Sequence, residues 1–111
     1  MLNWSSGTRV FVATAPVDLR ASFNRLFALT QAVLKEDPLS GHWFVFTNQE
    51  RTRVKVLFWD GSGLWVCAKR LEQGRFSWPS SAQAGARLRS EELLALLSGL
   101  EVKEKAGWYR R

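Results

Sequence analysis

The turn D-G-S-G at residues 60–63 constrains the fold of this chain more than any other feature. It is preceded by TRVKVLFWD at 52–60 and followed by LWVCAKRL at 64–71. Both runs are rich in β-branched and aromatic residues, and a short glycine-containing turn between two such runs is typical of a β-hairpin. The sequence therefore predicts two antiparallel strands joined at Gly61 and Ser62.

Alternation along these strands sorts their side chains onto two faces. The first face grades from apolar at the turn to basic at the open end, with the pairs Trp59–Leu64, Leu57–Val66, Lys55–Ala68 and Arg53–Arg70. The second face is mostly apolar, with the pairs Phe58–Trp65, Val56–Cys67 and Val54–Lys69. We expect this second face to pack against the long helix of the chain. Phe58 and Trp65 would then be buried beneath it, with Cys67 as a small core residue.

Further strands are predicted on either side of the hairpin. HWFVFTN at 42–48 reads as a strand that reverses through the polar segment 48–51, and RFSW at 75–78 reads as a short strand after the turn at 72–74. The result is a four-stranded antiparallel meander. The β-branched and aromatic run at 9–13 predicts an additional N-terminal strand beside it.

A long helix is predicted between the first strand and the meander. Asp18 stands where an N-cap is expected, and the helix is predicted over 19–36, ending before Asp37-Pro38 because a residue before proline disfavours helical geometry. Its apolar positions form one helical stripe: Leu19, Phe23, Leu26, Phe27, Val33 and Leu34.

A second, short helix is predicted near the C-terminus, with Ser90 as its cap and Gly99 just beyond its end. The predicted fold class is α+β, a four-stranded antiparallel meander joined by the N-terminal strand and packed against one long helix, with a short C-terminal helix. The predicted organisation is a single domain over 1–111, with a core at 9–78, a flexible connector at 79–89, and a short helix with a basic tail at 90–111.

The charge balance points to a polyanionic partner. Lysine and arginine total 16 against 10 acidic residues, which gives a formal net charge of +6, and eleven of the cations are arginines. Arginine suits bidentate contacts with phosphate, and an excess of it is typical of nucleic-acid-binding proteins. The alternative stays open, since exposed cations also keep sheets from aggregating.

Seven residues are predicted to contact nucleic acid, some from their place on the first hairpin face, and Arg20, Lys69 and Arg75 on grounds of charge alone. They are Arg20, Arg53, Lys55, Trp59, Lys69, Arg70 and Arg75. The cations would neutralise phosphates, and Trp59 would offer a ring for stacking.

No catalytic, metal or cofactor site is predicted. Each aspartate has a structural role available: Asp18 as a helix cap, Asp37 before a proline and Asp60 in the hairpin turn. The single histidine, His42, has no spacing that makes it part of a triad, and the single cysteine excludes an internal disulfide. Without a signal sequence or a long apolar run, the chain is expected to be cytoplasmic and away from membranes.

Four motifs in order then indicate a family. They are D-L-R-x-S-F at 18–23, D-P-x-S-G-x-x-F-V-F at 37–46, W-D-G-x-G-L-W at 59–65 and K-R-L-E-x-G-R-F at 69–76. In these motifs the chain resembles the TnpB-type accessory proteins, the second-open-reading-frame proteins of one large family of bacterial insertion sequences. These are unrelated to the RNA-guided nucleases that share the TnpB name.

The resemblance implies a protein encoded beside a transposase that assists movement of the element without catalysing cleavage or strand transfer. It assigns no functional residues, and DNA at the element ends and the transposase of the same element are the expected partners. Two hypotheses follow: a DNA-binding accessory protein, or an adaptor whose aromatic residues dock on the transposase. Whether the protein forms a homo-oligomer stays open.

Overall fold

The computed structural model describes residues 7–20 and 22–99. Within them a five-stranded mixed sheet is flanked by two helices. The elements are β1 (Val10–Ala13), α1 (Phe23–Ala32), β2 (Trp43–Thr47), β3 (Arg53–Trp59), β4 (Leu64–Arg70), β5 (Gly85–Leu88) and α2 (Ser90–Leu97). The strand order is β4-β3-β2-β1-β5, with β1 parallel to β2 and every other neighbouring pair antiparallel.

The predicted hairpin register is confirmed. Arg53 faces Arg70 and Trp59 faces Leu64, and the pairs between them also have the predicted register. Asp60 fixes the turn: its Oδ1 accepts the backbone N–H groups of Ser62 and Gly63 at 2.8 and 2.9 Å. A side chain that bonds the backbone two and three residues ahead stabilises a tight turn, so the register follows from local chemistry.

The predicted fourth meander strand at 75–78 is wrong, and the antiparallel meander has three strands, β2, β3 and β4. Phe76 and Trp78 are buried against the sheet rather than paired at its edge. The Trp78 indole N–H donates to the Ala13 carbonyl at 2.9 Å. Burial of two large rings stabilises this segment more than a short edge strand would, since each ring removes a large apolar area from water.

The segment predicted as a connector, 79–89, contains β5, which pairs antiparallel with β1. Its small residues gave no strand signal, but β1 offers an unpaired edge for its backbone. A Cβ at Gly85 would lie 2.8 Å from the Leu34 Cδ2 atom, so a larger residue there would require the Leu34 side chain to move.

The long helix is shorter than predicted, Phe23–Ala32 rather than 19–36. Asp18 does not cap it, because its carboxylate bonds to the backbone and side chain of Arg20 instead. The helix ends at Ala32, and three residues later Lys35 adopts a φ of 58°, a left-handed conformation through which an α-helix cannot continue.

The two helices cover opposite faces of the sheet, and the expected placement of the long helix is wrong. α1 packs on the first hairpin face, where Leu26 contacts a cluster that includes Phe44, Phe46 and Leu57. The second face, with Val54, Val56 and Phe58, is covered by Leu93 and Leu96 of α2 and by the two rings of the 75–78 segment. The two β2 phenylalanines make the first face apolar at its centre, a contribution that the hairpin alone does not reveal.

Phe58 is buried as predicted, but Trp65 is not: 41% of it is exposed. Phe58 stacks on Trp43 and Trp65 with ring centroids 4.8 and 6.1 Å apart. The Trp65 indole N–H reaches Asp60 Oδ2 at 2.7 Å. The expected core position of Cys67 is also wrong, since it is exposed. Trp65 and Cys67 are exposed for the same reason: β4 is an edge strand, and its second-face side chains lie at the margin of the core.

Leu57→Ala is expected to lower the free energy of unfolding by about 2–5 kcal/mol, because it opens a cavity at a fully buried position between the sheet and α1. Leu94→Ala is the matched control. That leucine is 68% exposed, and its truncation should change the value by less than about 1 kcal/mol. Urea denaturation of the two variants measures both values, and equal losses would contradict this packing.

The pKa of Asp60 lies well below its usual range, chiefly because of the indole N–H of Trp65 and then the backbone N–H groups of Ser62 and Gly63. A carboxyl whose pKa is lowered on folding stabilises the fold above its unfolded pKa of about 3.9, and this contribution is lost as the pH falls through the folded value. Asp60→Asn should therefore lower the thermal midpoint at pH 7, with a smaller deficit at strongly acidic pH.

Circular dichroism melts at the two pH values measure this difference. Asp37→Asn is the control, because that carboxylate accepts one backbone N–H, from Leu39. A deficit for Asp60→Asn that is the same at both pH values would show that charge at this turn does not matter.

Candidate nucleic-acid interface

Five of the seven predicted residues border two adjoining grooves at the open end of the hairpin. The larger groove, of about 560 Å³, includes Arg20, Arg53 and Lys55 in its wall. The smaller, of about 190 Å³, is bordered by the last two of these together with Lys69 and Arg70. These five cations are called the basic cluster below.

The β2–β3 turn fixes the base of the cluster. Asn48 Oδ1 accepts the backbone N–H groups of Thr52 and Arg53, each at 3.0 Å. The Thr47 hydroxyl donates to the Arg53 carbonyl at 2.8 Å. Because the backbone of Arg53 is held on both its N–H and its C=O, the position from which its side chain projects is well defined.

Arg53 and Arg70 lie directly opposite each other on β3 and β4. Facing residues in an antiparallel pair have Cα atoms about 4.5–5.5 Å apart, and like charges there are destabilising. Arg70 has an ion pair with Glu72 at 3.2 Å. The Arg53 guanidinium has no acidic partner within residues 7–20 and 22–99. Positive charge is thus concentrated at this point of the surface.

Arg20 lies at the far wall of the larger groove and is paired with Asp18, with 2.8 Å between Nη2 and Oδ2. Side-chain and backbone hydrogen bonds from Arg20 hold the pKa of Asp18 well below its usual range, and the same contact raises the pKa of Arg20. Both groups are exposed, so solvent weakens their attraction. Arg20 is therefore the most nearly neutralised cation of the cluster.

The two lysines of the cluster donate to backbone carbonyls. Lys55 Nζ lies 2.6 Å from the Leu19 oxygen, which joins β3 to the segment before α1. Lys69 Nζ lies 2.7 Å from the Leu97 oxygen, at the C-terminal end of α2. A cation at that end of a helix interacts favourably with the unpaired carbonyls. Both lysines therefore have structural roles.

The structure separates the remaining two predicted residues from the cluster. Trp59 is half-buried and borders a different groove with Gly41 and His42. It lies six residues along β3 from Arg53, a distance of roughly 20 Å. Arg75 is exposed but borders neither groove of the cluster. Trp59 therefore does not provide a ring for stacking beside the cations.

Comparison with known proteins identifies the family. Residues 8–107 match the model of the family described as IS66 Orf2 like protein. The chain belongs to this IS66 Orf2-like family. Two relatives from Sinorhizobium fredii, named as uncharacterized proteins y4jC and y4hO, are each 39% identical to it. The alignments cover 95% and 99% of this chain and 92% and 96% of the relatives. No solved structure matches the chain.

Membership confirms the resemblance seen in the four motifs and gives this IS66 Orf2-like protein an accessory role in transposition. Two of those motifs contribute to the basic cluster, and a third lies on the same hairpin. The 18–23 motif contributes Arg20, the 69–76 motif contributes Lys69 and Arg70, and the 59–65 motif forms the turn at the other end of the same hairpin.

Arg51 was not identified from the sequence, which indicated only a polar reversal at 48–51. It adopts a φ of 60°, and its Nε atom is buried without a hydrogen-bond partner in the described part of the chain. Its carbonyl accepts the Phe76 N–H at 2.7 Å. A non-glycine residue in left-handed geometry depends on the surrounding contacts, and no single-residue signal in the sequence indicates it.

The described ranges contain no sign of metal chemistry. No group of three or more His, Cys, Asp and Glu side chains gathers there to hold a metal ion. His42 Nδ1 accepts the Arg9 backbone N–H at 3.0 Å, which orients the ring beside Phe11. Neither described helix has the length and apolar character needed to cross a membrane.

Lys55→Met is expected to lower the free energy of unfolding by about 1–2 kcal/mol, because it removes the charged hydrogen bond to Leu19 from a half-buried position. Arg53→Met should change it by less than about 0.5 kcal/mol, since the exposed guanidinium makes no such bond. Urea denaturation measures both, and a larger loss for Arg53→Met would reverse the structural roles given to these cations.

Proposed function

We propose that this IS66 Orf2-like protein is a non-catalytic accessory protein of transposition that contacts the DNA phosphate backbone through the basic cluster. The observation that supports the proposal most is the facing pair Arg53–Arg70. Two like charges at adjacent positions cost stability in the free protein, and a phosphate between them would convert that repulsion into attraction. Arginine forks match phosphate oxygens in geometry as well as in charge.

The surroundings of the pair favour the same ligand. The five cations of the cluster outnumber the three carboxylates nearest them, those of Asp18, Glu50 and Glu72. The larger groove opens between β3 and the segment before α1, beside the exposed end of the sheet. A concave basic surface raises the local concentration of a polyanion and speeds its association.

The aromatic residues favour this function over docking on the transposase through exposed rings. Among the four tryptophans in the described ranges, Trp78 is buried, Trp43 and Trp59 are half-buried, and Trp65 is exposed. Trp4 and Trp108 lie outside those ranges. A docking role built on aromatic residues calls for several exposed rings. Trp65 is the one exposed tryptophan of the described ranges, and the other rings of its stack, Phe58 and Trp43, are buried and half-buried.

The carboxylates are consistent with a role without catalysis. Asp18 is engaged by Arg20 and Asp60 by its own turn, and hydrogen bonding lowers the pKa of each. In this proposal cleavage and strand transfer belong to the transposase, and the protein acts in the cytoplasm on the DNA of the element ends.

Replacement of both arginines, Arg53→Glu with Arg70→Glu, should weaken DNA binding at least tenfold, because two phosphate contacts become repulsive. The measurement is fluorescence anisotropy of a labelled element-end duplex and a scrambled duplex, titrated across a salt series. If four cations each neutralise one phosphate, a plot of the logarithm of the association constant against the logarithm of salt concentration should have a slope of about −3 to −4. In the double variant the slope should be less steep by about 2.

Arg87→Glu is the matched control. Arg87 is exposed on β5, at the opposite edge of the sheet from β4, so the same reversal there should have little effect. Equal weakening by the control would show a general charge effect and not this interface. Absence of binding to both duplexes at low salt would refute autonomous DNA binding and leave the transposase as the partner to test. Preference for the element end would add base or shape recognition.

A further inference from the structure

The β4 strand forms one edge of the sheet, and no other described strand pairs with its outer side. No backbone hydrogen bond joins Leu64–Arg70 to any other described segment than β3. Trp65 and the four residues 67–70 are exposed. An edge strand of this kind presents a row of unpaired N–H and C=O groups to any strand that can align with it.

The hydrogen-bond phase of the hairpin identifies which groups point outward. Asp60 N–H donates to Gly63 O at 3.1 Å, and Leu71 N–H donates to Thr52 O at 2.8 Å. Antiparallel partners alternate between bonded and non-bonded pairs, so the odd-numbered residues of β4 bond to β3. The even-numbered residues therefore direct their N–H and C=O groups away from the sheet: Leu64, Val66, Ala68 and Arg70.

The devices by which proteins protect an edge are missing from most of β4. All seven of its residues pair with β3 without a bulge, and the strand contains no proline. Its charges are confined to Lys69 and Arg70, at one end. The other edge, β5, is only four residues long and includes the exposed Arg87. Short length and charge both discourage pairing with another strand, so β4 is the edge that is more open to it.

We propose that β4 pairs antiparallel with β4 of a second copy, joining the two sheets across a two-fold axis. One antiparallel register pairs all seven residues, and it also brings the outward-facing groups of both strands together. In that register Leu64 lies opposite Arg70 of the second copy, Val66 opposite Ala68, and Cys67 opposite Cys67 at the axis.

The positions of the positive charges on β4 favour this antiparallel arrangement. Antiparallel pairing places Lys69 opposite Trp65 of the second copy, so no cation faces a cation. A parallel pair would place the basic ends side by side, where like charges oppose each other. Two-fold pairing of identical edges is also a closed arrangement, which stops at two copies instead of growing into a fibre. The proposal does not depend on DNA binding.

Sedimentation velocity of the full chain under reducing conditions, over a range of micromolar concentrations, is the first test. The wild type is expected at twice the monomer mass. Ala68→Pro removes an outward N–H without removing a bond to β3, and should shift the protein to the monomer mass. Arg87→Pro is the matched control, because it makes the same change at the β5 edge, and it should stay dimeric.

Cys67 provides a second test that needs no disruptive substitution. Facing residues of a non-hydrogen-bonded pair have Cα atoms about 4.5 Å apart, within the range that a disulfide spans. Mild oxidation with copper phenanthroline should therefore link two wild-type chains at least tenfold faster than two Ala68→Pro chains, and should not link Cys67→Ser.

A wild-type protein that stays monomeric at all concentrations would overturn the proposal. So would a dimer that survives Ala68→Pro, dissociates in Arg87→Pro, or resists Cys67 linkage, because each places the contact on another surface. Ala68→Pro must keep the wild-type circular dichroism spectrum. If it unfolds, the Cys67 linkage rate of the folded wild type is compared with that of urea-unfolded chains, and a rate no faster in the folded protein would overturn the proposal. Failure of DNA binding would leave these outcomes unchanged, so the two proposals can be judged apart.

Discussion

Burial of both faces of the β2–β3 pair is the constraint on which the rest of this structure depends. Phe44 and Leu57 face α1, whereas Val45 and Val56 face α2, and all four are buried. A charged side chain at the middle of these strands would lose its hydration without a partner, at a cost of several kcal/mol. Charge is therefore restricted to the ends of the strands, and this is where the basic cluster lies.

Local chemistry made the hairpin predictable. The Asp60 turn and seven residues of alternation on each side determine the register without help from the rest of the chain. The other pairings are non-local. β1 pairs with β2 across the whole of α1, and β5 pairs with β1 from the far end of the chain. Such contacts depend on edges and faces that exist only once the sheet has formed, so Gly85–Leu88 gave no signal of its own.

The candidate site was predictable in part for the same reason. The facing of Arg53 and Arg70 follows from the hairpin register, and the excess of positive charge follows from the composition. The engagement of Arg20 by Asp18, and the carbonyl contacts of Lys55 and Lys69, required the three-dimensional structure. Charge alone could not separate the cations that stabilise the fold from Arg53, whose guanidinium has no acidic partner in the described ranges.

The pairing of β1 with β5 has a consequence for how the protein is made. β1 is synthesised before every other described element, yet one of its two partner strands ends at Leu88. Until then a nascent chain has an incomplete sheet, with the β1 edge open and the Trp78 contact to Ala13 formed only late. Contacts between distant parts of a sequence slow folding. Chains cut short before residue 85 would thus expose a buried-type strand, and such chains are prone to aggregate.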